Sequence, residues 1–280
     1  MPRLLLFIVG VGAGNTTRNL ALLDELRRLR PDLDIHVAAQ GRAAELLAEH
    51  VPVHPLREVT YAPSGSMSFW NVFASNLSFP VRFAQNRAAA RRLLEHLRPD
   101  LAMADSDFYC LGPAKRMRVR LASLNNSPVI VAALRRQGTP PGCLFSARFI
   151  ERTDSWLQHR FPDRVICPVL RPEQGLPAKF VQIPPIVRPE AQPGDEESGE
   201  IVVVTGGSGL GTDEIDLSTA AAPVVTYGTP LARVPPSARQ MGFTLGALEA
   251  MRRARVLVVQ GGFSSVSEAV ALRRPAVVVP

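Results

Sequence analysis

The sequence predicts an α/β fold of two doubly wound parallel sheets, the second of them incomplete. Three observations predict it. Short apolar runs alternate with segments of helical periodicity, as in βαβ units. The 280 residues are 46% hydrophobic and 20% charged, which is enough apolar surface for two cores. A polar stretch, Pro189–Glu200, contains five acidic residues and interrupts the pattern, which then restarts. We therefore expect a first domain at 1–188, a linker at 189–200 and a second domain at 201–280.

The first domain is expected to begin with a buried strand, because Leu4–Val9 is a short apolar run. Asn15 or Thr16 can cap the helix that follows, and Pro31 ends it. The segment Tyr61–Phe79 is rich in Ser, Pro and aromatic residues, and we expect it to carry substrate contacts or to form a flap. Elsewhere the pattern predicts strands at Ile35–Ala39, Val51–Val53 and Pro99–Asp105, helices at 43–49 and 81–97, and a further unit starting at Ser127–Val131.

The second domain repeats the alternation of strands and helices. A doubly wound domain normally has at least about 100 residues, whereas residues 200–280 number 81. We therefore expect either a chain truncated after its last strand or a shortened relative with a changed function. The pattern predicts strands at Ile201–Thr205, Pro223–Thr226, Val256–Val259 and Ala276–Val279, and a helix at Leu245–Arg253.

The net charge of +7 is unevenly distributed. Residues 1–190 contain 25 Lys and Arg against 16 Asp and Glu, whereas the remainder contains 7 against 9. A basic first half can steer a phosphate-bearing ligand or an anionic membrane surface towards it. Nucleic acid is not an expected partner, because the arginines are not interleaved with aromatic residues, which make up only 6% of the chain.

The cysteines and the apolar runs indicate the compartment. Cys110, Cys143 and Cys167 lie far apart and outside any CxxC spacing, which is typical of reduced thiols in a cytoplasmic protein. No apolar run approaches the roughly 18 residues of a membrane span. Any membrane contact is therefore expected to be peripheral, through the basic first domain at the inner face of the membrane.

The first glycine-rich loop, Gly10–Asn15, lies between the first strand and the first helix. As a dinucleotide fingerprint it fails at its last position, where Asn15 replaces glycine, and the second strand ends in Gln40 rather than an acidic residue. NAD is therefore not expected. Gly12, Gly14 and Asn15 can instead present backbone N–H groups to an anion or a hydroxyl. A tight turn capped by Asn15 is the alternative.

The second glycine-rich loop, Gly206–Gly211, follows a predicted strand in the same way. It contains four glycines in six residues, more than a turn requires. Gly207, Ser208 and Gly209 are therefore predicted to bind a phosphate or nucleotide against the main chain. A flexible turn is the alternative.

The third motif is the most specific. Gly261 and Gly262 end a predicted strand and deliver Ser264 and Ser265 to the start of a helix, where hydroxyls and unpaired N–H groups can bind a diphosphate. Glu268 follows Ser265 by three residues, so a capping box would also explain these two residues. The preceding glycines favour the functional interpretation.

This third motif resembles the donor-nucleotide motif of GT-B glycosyltransferases, which have two Rossmann-like domains. The resemblance is to the branch that contains the peptidoglycan N-acetylglucosaminyltransferase in particular. The resemblance implies that Ser264 and Ser265 face the diphosphate of a sugar nucleotide and that Glu268 holds the ribose hydroxyls. It further implies that main-chain groups of Met241–Phe243 recognise the base. Gly207, Ser208, Gly209, Gly261 and Gly262 would complete the donor site, and Gly12, Gly14 and Asn15 would contact the acceptor.

The catalytic base departs from the family pattern. Many relatives have His after the first glycine-rich turn to activate the acceptor hydroxyl, and Asn15, which replaces it here, cannot act as a base at neutral pH. Asp105 or Asp107, at the carboxyl end of a predicted strand, is then the candidate base. Either carboxylate can instead cap the following loop.

The resemblance implies a hexosyltransferase that moves a sugar from a UDP-sugar to a hydroxyl of a small-molecule, glycan or lipid-linked acceptor. It implies inversion at the sugar carbon, with no metal and no cofactor besides the nucleotide sugar. A sugar-nucleotide epimerase or hydrolase, or a non-catalytic nucleotide-binding relative, is the alternative. In this family the donor-sugar loop, further helices and a tail helix would follow Pro280.

Overall fold

The computed structural model of the chain describes residues 1–10, 14–58, 79–140, 146–205 and 215–279. Contacts divide these residues into two compact units. The first contains 1–10, 26–58 and the described residues of 80–185, and the second contains 14–25, residue 79 and the described residues from 186 onwards. Each unit has its own parallel β-sheet with helices, which confirms the predicted α/β class.

The sheet of the first unit has seven strands in the order β3-β2-β1-β4-β5-β6-β7, and every neighbouring pair is parallel. Strand β1 lies inside the sheet, between β2 and β4, and its apolar run is covered on both faces: Leu5 to Ile8 have 0% exposure. The strands are β1 Arg3–Ile8, β2 Asp34–Gln40, β3 Val53–Leu56, β4 Leu101–Asp105, β5 Arg120–Leu124, β6 Arg164–Pro168 and β7 Phe180–Ile183.

The helices before residue 186 connect these parallel strands, as crossover connections must. The longest, α3, places Ala90 and Leu94 in the core at 0% exposure. The helices are α1 Gly14–Leu29, α2 Gly41–Ala48, α3 Phe79–Leu97, α4 Leu111–Arg116, α5 Ser127–Gln137 and α6 Arg152–Arg160, the last preceded by a π-helical turn at Ser146–Glu151.

Two predictions for this part of the chain are wrong in detail. The unit expected to start at Ser127–Val131 has its strand earlier, at β5, and Ser127 begins helix α5 instead. The Val-Ile-Val run is apolar enough for a strand, but Pro128 lies in the first turn of the helix, where its missing N–H costs no hydrogen bond.

Asn15 and Thr16 are not N-caps, because α1 already begins at Gly14. Residues 61–78 of the predicted flap lie outside the described residues.

The sheet of the second unit has five strands in the order β10-β9-β8-β11-β12, again with every neighbouring pair parallel. Four of them confirm predicted strands. Strand β10 has no apolar pattern that would predict it, and its three residues are all exposed at the sheet edge. The elements are β8 Ile201–Val204, β9 Val224–Tyr227, β10 Arg239–Met241, α7 Ala247–Arg253, β11 Val256–Gln260, α8 Phe263–Ala271 and β12 Ala276–Val279.

Each sheet has a point where the strand order reverses. In the first unit it lies between β1 and β4, where Ile8 is opposite Asp105. In the second it lies between β8 and β11, where Val204 is opposite Val259. Connections leave the sheet on opposite sides at such a point, so a crevice opens at the carboxyl ends of the two strands, and ligands of open α/β sheets bind there.

The end of β9 turns through Gly228, which has a φ of +103°. A Cβ at this position would lie 2.0 Å from the carbonyl oxygen of Thr205 and 2.7 Å from its Oγ1. The Thr205 hydroxyl is itself bonded to the Tyr227 and Thr229 carbonyl oxygens. Only glycine therefore lets the ends of β8 and β9 approach at this edge.

We expect Gly228→Ala to destabilise the second unit by at least about 2 kcal/mol, because the new methyl group meets backbone and the φ is strained. The midpoint of urea unfolding, followed by circular dichroism, measures this. Gly242→Ala is the matched control: nothing lies within 4 Å of its Cβ position, so its effect should stay within about 0.5 kcal/mol. Equal midpoints for the two variants would contradict the close approach.

Candidate functional site

The predicted donor segments meet at the carboxyl edge of the second sheet. Gly261 follows β11. The segment Met241–Phe243 begins at the last residue of β10, Met241, which is opposite Tyr227 at the end of β9. Phe243 is half-buried between β10 and α7. Strand β8, next to β11, leads into the second glycine-rich loop, whose Gly207, Ser208 and Gly209 lie outside the described residues. The structure thus brings the third motif and the Met241–Phe243 segment to one sheet edge, beside the strand that precedes the second loop.

The start of helix α8 is suited to bind an anion. Its N-cap is Gly262, which is extended (φ −65°, ψ 130°) and has no side chain to satisfy the first N–H groups of the helix. The first intrahelical bond is donated by the Val266 N–H to the Gly262 carbonyl at 3.1 Å. The N–H groups of Phe263, Ser264 and Ser265 lie before it, at the positive end of the helix dipole.

The capping-box interpretation of Ser265 and Glu268 is wrong. The helix begins at Phe263, so Ser265 lies inside its first turn rather than at the N-cap. Glu268 does not reach back to the helix start but pairs with Arg188. The preceding glycine ends the strand and starts the helix, which leaves both side chains for other contacts.

Glu268 is held by a two-point ion pair with Arg188. Nε of Arg188 donates to Oε1 at 2.7 Å and Nη2 donates to Oε2 at 3.0 Å. The third guanidinium nitrogen, Nη1, donates to the Leu245 carbonyl at 2.7 Å. The side chains of Arg188 and Glu268 are only 14% and 9% exposed. The carboxylate is therefore fixed in orientation and its buried charge is compensated.

Sequence reasoning missed Arg188. It lies 80 residues before its partner, in a stretch without helix or strand, and no spacing rule links the two positions. The one available signal is indirect: a glutamate on the buried face of a helix needs a cation.

Two predicted residues of different roles contact each other within the second unit. The Ser264 hydroxyl, predicted for the donor, donates to the carbonyl oxygen of Gly14, predicted for the acceptor, at 3.0 Å. A Cβ on Gly14 would lie 2.9 Å from Ser264 Oγ, so a larger residue would displace this contact. Asn15 is half-buried in α1, where its carbonyl accepts a hydrogen bond from Asn19. Gly12 lies outside the described residues.

The two candidate bases lie at the carboxyl end of β4 in the first unit. Asp105 is 0% exposed, and Ser106, which has a φ of +55°, donates its hydroxyl proton to Asp105 Oδ1 at 3.3 Å. Asp107 is 1% exposed, and its Oδ1 accepts from the N–H groups of Tyr109 at 2.8 Å and Cys110 at 3.4 Å. Asp107 thus makes the contacts of a loop cap, and the base role of either residue stays a prediction.

The other oxygen of Asp107, Oδ2, is buried without a hydrogen-bond partner in the described part of the chain. Burial, with a smaller contribution from the charge of the nearby Asp105, raises the pKa of Asp107 to about 7 against the opposing effect of the two N–H donors. The same burial raises the pKa of the Cys110 thiol well above its usual value.

Asp107 should therefore make the folded state less stable as pH rises from about 4 to about 7. Over this range the folded protein retains a proton that the unfolded chain loses, so the free energy of unfolding falls with pH, and it levels off above the folded pKa. Asp107→Asn mimics the protonated acid. We expect its free energy of unfolding, relative to that of wild type, to rise by on the order of a few kcal/mol between pH 4 and pH 8.

Urea unfolding midpoints at the two pH values measure this difference. Asp195→Asn removes an exposed carboxylate and is the control for the change of charge. A wild-type to Asp107→Asn difference that is the same at both pH values would show that Asp107 is ionised throughout.

The described residues contain neither a metal-binding cluster nor a membrane-spanning helix. Within these ranges no group of three or more His, Cys, Asp and Glu side chains could hold a metal ion. None of the helices that the structure describes is both long and apolar enough to cross a bilayer.

Comparison with known proteins places this fold. The model of one protein family, glycosyl transferase family 1, matches residues 2–280. The chain is 15% identical to MurG from Acinetobacter baumannii, with a TM-score of 0.60 over 100% of this chain and 79% of that one. It is 16% identical to the glycosyltransferase SsfS6 from Streptomyces sp. SF2575, complexed with thymidine diphosphate, with a TM-score of 0.59 over 100% and 82% of the two chains. It is also 16% identical to LpCGTa in complex with UDP, with a TM-score of 0.64 over 98% and 79%.

None of the curated proteins matches the chain. The solved structures confirm the predicted GT-B fold. Because the family model covers nearly every residue, the chain belongs to glycosyl transferase family 1 and is a glycosyltransferase that uses a nucleotide sugar.

Proposed function

We propose that this glycosyltransferase transfers a hexose from a UDP-sugar to a hydroxyl acceptor, with inversion and without a metal ion. The observation that carries the proposal is the start of α8 beside the Arg188–Glu268 pair, at the point where the strand order of the second sheet reverses. An anion-binding helix terminus next to an oriented carboxylate matches a ligand with a diphosphate and a pair of hydroxyls.

The diphosphate would bind the N–H groups of Phe263 to Ser265 and the hydroxyl of Ser265. Ser264 contributes its N–H group alone, because its hydroxyl is bonded to the Gly14 carbonyl. The helix dipole and these donors compensate the negative charge of a diphosphate, which is the physical basis for proposing that no metal is needed.

The ribose would bind Glu268. Each carboxylate oxygen can accept more than one hydrogen bond, so the two that already accept from Arg188 retain lone pairs for the ribose hydroxyls. The arginine prevents the carboxylate from turning away when no ligand is bound. Main-chain groups of Met241–Phe243, at the same sheet edge, would contact the base.

In the transfer step the acceptor hydroxyl oxygen attacks the anomeric carbon while the bond from that carbon to the diphosphate breaks. The hydroxyl proton passes to a base and the electron pair leaves with UDP. A single displacement of this kind inverts the configuration of the sugar carbon. We assign the base to Asp105 rather than Asp107, because Oδ1 of Asp107 already accepts two main-chain hydrogen bonds, as a carboxylate that caps a loop does.

We expect UDP release from UDP-sugars to require a hydroxyl acceptor and to persist in EDTA. Release is measured from UDP-glucose, UDP-N-acetylglucosamine and TDP-glucose, each with and without a panel of acceptors. Asp105→Asn should lower kcat by at least about 100-fold, the usual contribution of a general base. Acceptor-independent release would indicate a hydrolase, and turnover of TDP-glucose alone would contradict the UDP assignment. Nucleotide binding without turnover would indicate a non-catalytic relative.

We expect Ser265→Ala to weaken UDP binding about tenfold, since it removes one hydroxyl from a charged diphosphate. Glu268→Gln should also weaken binding, and it should lower the unfolding midpoint because it leaves Arg188 buried without its partner. Isothermal titration measures the affinity of each variant for UDP. Ser237→Ala, an exposed serine of the same unit, is the control and should bind UDP as wild type does. Unchanged UDP affinity in Ser265→Ala and Glu268→Gln would overturn the donor site.

A further inference from the structure

A basic groove lies on the first unit between helices α3 and α4. It encloses about 560 Å3, within the range of about 300–1,000 Å3 that is typical of small-molecule sites. Its charged lining consists of Arg87, Arg91 and Glu95 from α3 and Arg116 from α4. The remaining lining residues are apolar. The groove belongs to neither the donor site nor the candidate bases.

Two of its guanidinium groups converge on one point. A Cβ placed on Gly112 would lie 3.4 Å from Nη2 of Arg87 and 3.5 Å from Nη2 of Arg116. Arg116 is positioned there by a hydrogen bond from its Nε to the Gly112 carbonyl at 3.3 Å. Because residue 112 is glycine, this point is not filled by a side chain, and two cations of like charge face it.

The carboxylate of the groove does not neutralise this pair. Glu95 lies one turn along α3 from Arg91 and is bonded to it, with 2.7 Å between Nε and Oε1. In the described part of the chain Arg87 and Arg116 form no ion pair with any carboxylate. Two guanidinium groups that face one point repel each other, and an anion placed between them removes that cost.

We propose that this groove binds the phosphate group of a phosphorylated ligand, held by Arg87 and Arg116 on the side of Gly112 that has no side chain. A phosphate presents several oxygens to the planar donor sets of two arginines, which is the geometry that guanidinium groups bind best. Arg91 lies in the same groove, where Glu95 compensates its charge. The apolar lining, which includes Ala84 and Ala88, suits a ligand with an apolar portion next to its phosphate.

Residue-resolved protection tests the site independently of the donor site. The full chain is treated with phenylglyoxal, which modifies arginines, and the modification rate of each arginine is read by mass spectrometry with and without pyrophosphate. At ten times Kd the rates of Arg87 and Arg116 should fall about tenfold by mass action. Arg92, exposed on the same helix but outside the groove, should react at an unchanged rate.

Gly112→Ala separates a built site from general electrostatic attraction. The substitution keeps every charge and places a methyl group at the point that the two guanidinium groups face. Position 112 lies in a helix, where alanine is more favourable than glycine. Protection of Arg87 and Arg116 by pyrophosphate should be lost in this variant, while its circular dichroism spectrum stays that of wild type. Protection that persists in Gly112→Ala would overturn the proposed position of the phosphate.

Vesicles of phosphatidylcholine, with and without phosphatidylglycerol, distinguish a lipid headgroup from a soluble phosphate as the source. Protection of Arg87 and Arg116 by the phosphatidylglycerol vesicles alone supports the site with a lipid phosphate, and protection by pyrophosphate supports it with a soluble one. Protection by neither probe, or equal protection of Arg92, would overturn the proposal.

Discussion

Parallel pairing of the strands is the constraint on which the rest of the structure depends. In a parallel sheet every strand delivers its carboxyl end to the same edge, so residues distant in sequence meet there. The reversal of strand order between β8 and β11 then opens a crevice at that edge. The third glycine motif and helix α8 follow directly from β11, so the position of the start of α8 is decided by the sheet and not by the motif alone.

Much of this arrangement could be predicted from the sequence, because local patterns encode it. Apolar runs such as Leu4–Val9 identify strands buried on both faces, and the glycines before Ser264 identify a strand that turns sharply into a helix. Prediction failed where a local signal was ambiguous or missing. The apolar residues after Ser127 suit a strand as well as a helix, and β10 has no buried residue to mark it.

The site was less predictable than the fold because its key partnership is not local. Glu268 and Ser265 have capping-box spacing, and only the three-dimensional structure brings Arg188 to the carboxylate. Asp107 is also buried, but it receives only main-chain N–H donors, and burial raises its pKa to about 7. A guanidinium supplies full opposite charge, which N–H dipoles do not.

The positively charged residues among the first 190 differ in whether a carboxylate compensates their charge. Some of these arginines stabilise the fold: Arg3 pairs with Asp34 and donates to the Leu97 carbonyl, and Arg188 orients a carboxylate of the second unit. Their charge is compensated within the protein, so it adds little to the field that a ligand meets. Arg87 and Arg116 have no carboxylate partner among the described residues and face a common point. The count of cations therefore overstates the charge available to ligands, and the attraction of an anion to the first unit depends on the guanidinium groups that no carboxylate compensates.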